Sequence, residues 1–302
     1  MLDQLNHISK LAKGSKIIRL LHNPVNYLNG QFFNKVTYQR LKKGKMVTCK
    51  TVFGYTMQVL LPAGMDIYLL GGKGHDSEIR LAKLINRNVK SGDTFIDIGA
   101  HFGYFSLMAS KIVGTNGKVV SIEASKAISE VLSKNTQPHA NIDRHHLACQ
   151  DTNSAISFFE FPILFSEYNT IHPEQFEESE WIKKNPPQEI KVQGTTLDAL
   201  VQKLKIQPNF IKIDVEGAEA KVIKGMLETL RNNPDLMIAM EYLEDDRDNT
   251  SHVEATQILI EKCFQAHIIK ADGTLEFIDF KEISTYLKTH GFESDNIVFF
   301  KL

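Results

Sequence analysis

Between residues 94 and 263, short apolar segments alternate with segments of helical spacing, and this alternation constrains the fold more than any other feature. The apolar segments, such as Phe-Ile-Asp-Ile at 95–98 and Met-Ile-Ala-Met at 237–240, are almost continuously hydrophobic, as strands buried on both faces are. Strands that alternate with helices build a mostly parallel sheet covered on both sides. We therefore predict a doubly wound α/β fold with strands at 94–98, 119–123, 143–148, 210–214 and 236–242 and helices at 77–89, 104–113, 126–136, 218–230 and 252–263.

The two ends of the chain differ from this central pattern. Phe299 and Phe300 indicate that a C-terminal strand inserts into the sheet, because an exposed tail would not need two aromatic side chains. Near the N-terminus, short apolar runs separated by glycine and proline predict a small antiparallel lead-in, so the chain divides into residues 1–75 and a main domain over 76–302. The predicted flanking strands are 46–47, 57–61, 67–70, 266–270, 274–280 and 296–302, with a helix at 281–289.

The first 60 residues hold ten Lys or Arg side chains and a single acid. Within residues 2–28, apolar side chains recur near helical spacing and the bases lie mostly off that face. Such a helix could make peripheral contact with an anionic membrane or pack on its own domain or a partner. Interruptions at Gly14 and Pro24 favour the second interpretation. The apolar positions are Leu5, Ile8, Leu11, Ile18 and Leu21.

Charge and cysteine content limit the classes of partner and compartment. A formal net charge of -1 argues against a protein whose whole surface binds nucleic acid, and we expect no nucleic-acid partner. Cys49, Cys149 and Cys263 form no CxxC pair that could hold a metal or carry out redox exchange, so a reducing compartment is the simplest interpretation. No apolar run approaches the roughly 18 residues of a membrane span. We predict a cytoplasmic protein.

The segment 93–106 carries the first chemical motif, in which a buried strand runs into Gly99 and Gly103 opens the next helix. Dinucleotide-binding folds need a further glycine for the pyrophosphate, which argues against an NAD-dependent oxidoreductase. Asp97 fits a ligand that bears an ammonium group, and Glu123 ends the next strand, where an acid accepts two ribose hydroxyls. A nucleoside that carries an amino acid satisfies both.

A second motif, Ile-Lys-Ile-Asp-Val-Glu-Gly-Ala-Glu at 211–219, also ends a buried strand at a carboxylate and turns through glycine into a helix. Asp214, Glu216 and Glu219 should therefore cluster at the same sheet edge as Asp97. Glu241 ends the following strand nearby, so several carboxylates should meet there.

These motifs, together with Gly-Thr-Thr-Leu-Asp at 194–198, resemble those of the FkbM family of S-adenosylmethionine-dependent methyltransferases, over about residues 76–302. The resemblance implies the seven-stranded, Rossmann-like class I fold. It implies that Glu123 binds the cofactor ribose, that Asp151 lies near adenine and that Asp214 lies by the sulfonium. The methionine portion of S-adenosylmethionine would be held by Asp97, Gly99, Ala100, His101, Gly103 and Tyr104.

The activity implied is methyl transfer, most simply to a hydroxyl oxygen of a small molecule or glycan. Glu216 or Glu219 could be the base that removes the acceptor proton, with His101 as a further candidate. Alternatively, these glutamates could hold Mg²⁺ together with Asp214 or Glu241, and no spacing separates the two roles. Glu219 could also be only an acid that is favourably placed at a helix N-terminus.

Residues 161–193 interrupt the alternation and are the predicted acceptor-site insertion. A loop of this length in a compact domain is usually functional or disordered, so a mobile acidic loop is the alternative. A protein that keeps the cofactor pocket but serves as a non-catalytic binding or membrane-surface module also fits the sequence. The candidate acceptor-binding side chains are Phe165, Tyr168, Asn169, His172 and Trp181.

Overall fold

In the computed structural model, which describes residues 1–176, 180–247 and 249–301, the chain begins with a series of short helices. The first ends before Gly14, and the next begins where the Ser15 hydroxyl accepts a hydrogen bond from the Ile18 amide. The third starts at Pro24 after an Asn23 cap. The elements are α1 (Leu2–Lys13), α2 (Lys16–His22), α3 (Pro24–Phe32), a π-helical turn (Phe33–Tyr38) and α4 (Gln39–Leu41).

Helix α1 is part of the domain core. Leu5, Ile8 and Leu11 are buried in the same apolar cluster as the main domain. Ile18 and Leu21, which we placed on the same face, are 48% and 77% exposed, because the break at Gly14 ends the common face. The predicted interruptions are confirmed, whereas the continuous apolar face is wrong. None of the described helices is both long and apolar enough to cross a membrane.

Truncating a buried side chain of α1 should destabilise the whole domain. Ile8 is 1% exposed, so we expect Ile8→Ala to lower the free energy of unfolding by about 2–5 kcal/mol. The exposed Leu21 is a matched control, and Leu21→Ala should change the free energy of unfolding by no more than about 0.5 kcal/mol. Urea denaturation measures both. Equal effects of the two substitutions would contradict the assignment of α1 to the core.

The lead-in continues with a hairpin and a short buried helix. β1 (Lys45–Lys50) and β2 (Thr56–Leu61) pair antiparallel, as predicted. The strand predicted at 67–70 is wrong, because this run lies in α5 (Met65–Leu70), which ends at Gly71 with a φ of +74°. A short apolar run has no period that separates a strand from a buried helix.

The main domain alternates strands and helices, as predicted. Its helices are α6 (Asp76–Asn88), α7 (Tyr104–Val113), α8 (Lys126–Thr136), α9 (Glu180–Lys184), α10 (Leu197–Leu204), α11 (Glu219–Lys224), α12 (Leu227–Asn232), α13 (Thr250–Glu261) and α14 (Ile283–His290). Its strands are β3 (Thr94–Ile98), β4 (Lys118–Glu123), β5 (Ile142–His146), β6 (Ala148–Cys149), β7 (Ala155–Glu160), β8 (Gln188–Thr195), β9 (Phe210–Ile213), β10 (Met237–Leu243), β11 (Gln265–Ile269), β12 (Leu275–Phe277) and β13 (Ser294–Phe300).

In the described part of the chain, eight of these strands form one sheet in the order β5-β4-β3-β9-β10-β13-β11-β12. The strands from β5 to β10 are parallel, whereas β13 lies antiparallel between β10 and β11. The expected seven strands are thus present, and β12 adds an eighth at one edge. Insertion of the C-terminal strand is confirmed, although residue 302, to which we extended it, lies outside the described residues.

Both faces of the sheet are buried, which explains the continuously apolar strands. Along β3, Phe95 packs in the cluster that contains α1 and α6 to α8, while Ile96 and Ile98 pack in the opposite cluster. A buried ion pair also joins α6 to β13, where an Arg80 nitrogen lies 2.9 Å from an Asp295 carboxylate oxygen.

Two predicted elements differ in the structure. The helix predicted at 218–230 is two helices that break at Gly225, where any side chain would overlap the carbonyl oxygen of Gln150. The strand predicted at 143–148 stops at His146, and β6 instead joins a small sheet of order β6-β8-β7. The predicted insertion at 161–193 therefore includes residues 188–193 of β8, and its residues 177–179 lie outside the described residues.

Candidate active site

The loop after β3 forms the floor of the site. Gly99 and Gly103 have φ angles of +75° and +88°, which favour glycine. A Cβ atom at Gly99 would also overlap the carbonyl oxygen of Asp214, because the loop after β9 runs directly against it. The carboxyl ends of β3 and β9 can therefore meet only if residue 99 has no side chain.

Glu123, at the end of β4, is bonded into the same loop. Its two carboxylate oxygens accept hydrogen bonds from the amides of His101 and Ser125, each at 2.8 Å. Burial raises the pKa of Glu123 to about 7 in spite of these two donors. The carboxyl group lies in the wall of a pocket at this sheet edge, as the ribose-binding prediction requires.

A buried lysine links the two carboxylates that we predicted for this edge. The Lys212 ammonium lies 3.0 Å from an Asp214 oxygen and 3.5 Å from an Asp97 oxygen, and it donates to the carbonyl of Gly99 at 3.1 Å. Burial raises the pKa of Asp214, but the charge of Lys212, its hydrogen bond and the charge of Lys73 together bring this pKa below its ordinary value. Asp214 is therefore ionised at neutral pH and faces the pocket.

Asp97 faces inward. It is 1% exposed, and its second oxygen accepts a hydrogen bond from the Ser106 hydroxyl at 2.6 Å. Burial raises its pKa, and Lys212 opposes that shift. Its described partners are thus Ser106 and Lys212, and it lies outside the pocket wall, where we expected a contact with an ammonium group.

Glu216 and Glu241 form an acidic group with Asp214. One oxygen from each of the three carboxylates lies within 4.8 Å of the others, and all three residues line the pocket. Burial, followed by the charge of Glu241, raises the pKa of Glu216 well above its ordinary value. Burial and the charge of Asp214 raise that of Glu241 to about 8. Glu216 also has a φ of +47°, an unusual conformation for a residue with a side chain.

Glu219 and His101 are placed less favourably for removing a proton. Glu219 is fully buried, lies 3.3 Å from the His252 ring and accepts from the Gly217 amide, away from the pocket wall. The His101 ring lies in the wall, 3.1 Å from the Ser166 hydroxyl, but burial and the charge of Lys73 lower its pKa to about 3. An imidazole with so low a pKa is a weak base.

The pocket has a volume of about 570 Å³, within the usual range for a small-molecule site. Of the predicted cofactor residues, Gly99, His101, Glu123 and Asp214 line it. Tyr104 is buried against Phe53 behind the loop, and Asp151 is exposed in the turn between β6 and β7. Six residues that we predicted for the site do not line the pocket among the described residues: Asp97, Ala100, Gly103, Tyr104, Asp151 and Glu219.

Part of the predicted insertion covers the pocket. Tyr168 and Asn169 lie in its wall, as expected for an acceptor-binding segment. Phe165 and Trp181 stack on each other at 4.6 Å between ring centroids and lie outside the described wall, as does His172. The segment is also fixed to the floor, because the Thr170 hydroxyl donates to the carbonyl of Glu216 at 2.6 Å.

Three cationic side chains at the site were not predicted from the sequence. Lys212 could have been recognised, because a lysine within the buried run Phe-Ile-Lys-Ile needs a charged partner. Lys73 lines the pocket, is 12% exposed at its side chain and pairs with Glu78 at 2.7 Å. Arg247 lies 6.0 Å from the centre of the Tyr168 ring. No motif includes these last two, since tertiary folding alone brings them to the pocket.

Solved structures with a similar chain path include methyltransferases of several kinds. One, described as a precorrin-6y C5,15-methyltransferase from Geobacter metallireducens GS-15, has 12% identity, a TM-score of 0.41 and coverage of 74% of this chain and 88% of that one. An O-methyltransferase from Bacillus cereus in complex with SAH has 12% identity, a TM-score of 0.41 and coverage of 73% and 78%. A likeness with TM-scores below 0.5 carries no weight for the function of this chain.

Comparison of the sequence with family models shows the family of the chain. No curated protein gives a significant match to the chain. Residues 97–294, however, match the methyltransferase FkbM domain, which includes the loops after β3, β4 and β9 and the acidic group at Glu216 and Glu241. This match extends over well more than half of the 302 residues. The chain therefore belongs to the FkbM methyltransferase family.

Proposed function

We propose that this protein transfers the methyl group of S-adenosylmethionine to a hydroxyl oxygen of a small molecule or glycan. The observation that carries the proposal is the common wall formed by Gly99, Glu123 and Asp214, which end or follow the neighbouring strands β3, β4 and β9. Open α/β sheets bind ligands at this edge, outside the carboxyl ends of their strands.

The chemistry of the wall fits S-adenosylmethionine. Glu123 would accept hydrogen bonds from the ribose hydroxyls, and the backbone at Gly99, which lies in the wall, would contact the methionine portion. The ionised Asp214 suits a cationic sulfonium, and the pair Lys73 and Glu78 suits a zwitterionic amino acid. Bound there, the cofactor would supply an electrophilic methyl group with a good leaving group.

The acidic group would activate the acceptor. An alcohol is a weak nucleophile, so its proton must pass to a base as the oxygen–methyl bond forms and the sulfur–methyl bond breaks. Glu216 is the preferred base, because it lies in the wall and its raised pKa makes its carboxylate a stronger base than an ordinary glutamate. If the three carboxylates instead hold Mg²⁺, removing divalent ions with EDTA should abolish transfer; for a base, transfer should persist.

The acceptor is expected to carry a ring and little negative charge. Tyr168 and Asn169 offer an aromatic face and an amide at the wall, which suits a sugar or a polyketide-like ring. The ionised Asp214 would repel phosphate-rich acceptors such as nucleic acid. Tritiated S-adenosylmethionine, incubated with the protein and a panel of sugars and phenols, tests this; binding of the cofactor without transfer to any hydroxyl would contradict the proposal.

Glu123→Gln should weaken cofactor binding at least tenfold. The substitution keeps the size of the side chain but replaces one of two acceptor oxygens with an NH2 donor, so the hydrogen bonds from the His101 and Ser125 amides can no longer both form and an acceptor for the ribose is lost. Isothermal titration with S-adenosylhomocysteine measures the change. Glu130→Gln, at an exposed position on α8, is the control and should bind like the unmodified protein. Equal affinities for the two variants would remove Glu123 from the site.

A further inference from the structure

The N-terminal helices carry an exposed apolar surface that the methyltransferase site does not use. Eight of the thirteen exposed large hydrophobic side chains among the described residues fall within residues 16–41, and no residue of α2 is buried. Single exposed apolar residues are ordinary, but a concentration of this kind marks a binding surface. We call this set the apolar N-terminal surface: Ile17, Ile18, Leu21, Val25, Leu28, Phe32, Val36 and Leu41.

The spacing of these residues places several of them on one side of a continuous helical segment. Val25, Leu28, Phe32 and Val36 follow one another at intervals of three, four and four residues, so they form a stripe along α3 and the π-helical turn. The other side of α3 is attached to the domain, since the side-chain amide of Asn26 donates to the carbonyl of Tyr68 at 3.1 Å. The stripe therefore points away from the protein.

The charge around this surface identifies its partner. Between Asp3 and Asp66 the sequence contains no acidic residue. Lys16, Lys35 and Arg40 are exposed, as are the lysines that follow α4. Apolar side chains bordered by bases are the features with which helices lie in the interface of an anionic bilayer. A protein partner or a second copy of this chain would need acids that face these bases, and the surface itself has none.

We propose that the apolar N-terminal surface docks this protein on a membrane that contains anionic lipid, with α2 and α3 lying in the plane of the interface. The apolar side chains would enter the acyl boundary while the bases contact lipid phosphates. The surface is also connected to the pocket, because the Tyr38 hydroxyl accepts from the Leu164 amide in the segment that continues to Tyr168. The proposal does not depend on the identity of the methyl acceptor.

Sedimentation of the full chain with lipid vesicles tests this proposal. We expect binding to vesicles of phosphatidylcholine mixed with phosphatidylglycerol, and binding that weakens as salt is added. Leu28→Glu combined with Phe32→Glu should lower the partition coefficient at least tenfold, and both positions are more than 60% exposed, so the fold should remain intact. Replacing Lys35, Arg40 and Lys43 with alanine should lower it by about fivefold for each base removed.

Phe277→Glu is the matched control, because Phe277 is 62% exposed and Phe32 63%. This variant should bind vesicles like the unmodified protein. The proposal would be overturned by a lack of sedimentation with anionic vesicles, by equal binding to vesicles of phosphatidylcholine alone, or by unchanged binding of the double glutamate variant. If the unmodified chain is instead a dimer in analytical ultracentrifugation and the double variant is a monomer, the surface is an interface between copies and the proposal is wrong.

Discussion

Gly99→Ala is expected to abolish binding of S-adenosylmethionine and to destabilise the domain. A methyl group at this position would overlap the Asp214 carbonyl oxygen, which is backbone and cannot rotate away. The loop after β3 would have to move, and both Glu123, through the His101 amide, and Lys212, through the Gly99 carbonyl, are hydrogen-bonded to that loop. A single methyl group would thus disturb the wall at three strand ends.

Gly92→Ala is the control that separates the overlap with the Asp214 carbonyl from the strain of a left-handed backbone conformation. Gly92 has a φ of +92°, but a Cβ atom there meets nothing within 4 Å. The control should therefore lose only about 1–2 kcal/mol of stability, the cost of a left-handed conformation, and keep its affinity for the cofactor. Thermal unfolding and titration with S-adenosylhomocysteine measure the two properties. Normal affinity in Gly99→Ala would show that the close approach of the two loops does not shape the site.

Glu216→Gln is expected to lower kcat for methyl transfer by about 10²–10⁴, the usual contribution of a general base, while affinity for S-adenosylhomocysteine stays unchanged. The rate of the unmodified enzyme should rise with pH, because the base works only when ionised and its pKa is raised by burial and by Glu241. Tritium transfer to the acceptor found by screening, followed across pH, measures both effects.

Glu241→Gln tests whether the charge of Glu241 raises the pKa of Glu216. Removing the neighbouring charge should lower the pKa of Glu216, so the rising limb of the pH profile should move to lower pH. Glu219→Gln is the control, since Glu219 pairs with His252 and should affect stability more than kcat. If Glu219→Gln loses transfer and Glu216→Gln retains it, the base has been assigned to the wrong glutamate.

Local signals explain which elements could be predicted from the sequence. The bounds of α7 and α8 agree with the structure because Gly103, Gly114 and Ser125 are strong helix signals. The helix predicted at 218–230 failed at Gly225 for the opposite reason, since the break depends on the distant Gln150. Interactions between segments far apart in sequence have no local pattern.

The site residues also divide into those placed by local sequence signals and those placed by contacts between distant segments. Gly99, Glu123, Asp214 and Glu216 follow strand ends, so parallel-sheet geometry alone predicts that they meet. Whether a carboxylate faces the pocket or the interior depends on its partner. Asp97 turns inward to a lysine from another strand and Glu219 to a histidine from another helix, and neither partner could be placed before the fold was known.

The position of β13 determines when the pocket can form during synthesis. β13 inserts between β10 and β11, which leave the ribosome earlier, so the sheet keeps a gap until residues 294–300 emerge. This strand brings Ser294 and Asn296 into the pocket wall, and Asp295 neutralises the buried Arg80. A nascent chain that stops before residue 294 therefore leaves the buried Arg80 with Asp76 but without Asp295, and its pocket wall is incomplete. Stabilisation by bound ligand begins only after residues 294–300 have been translated.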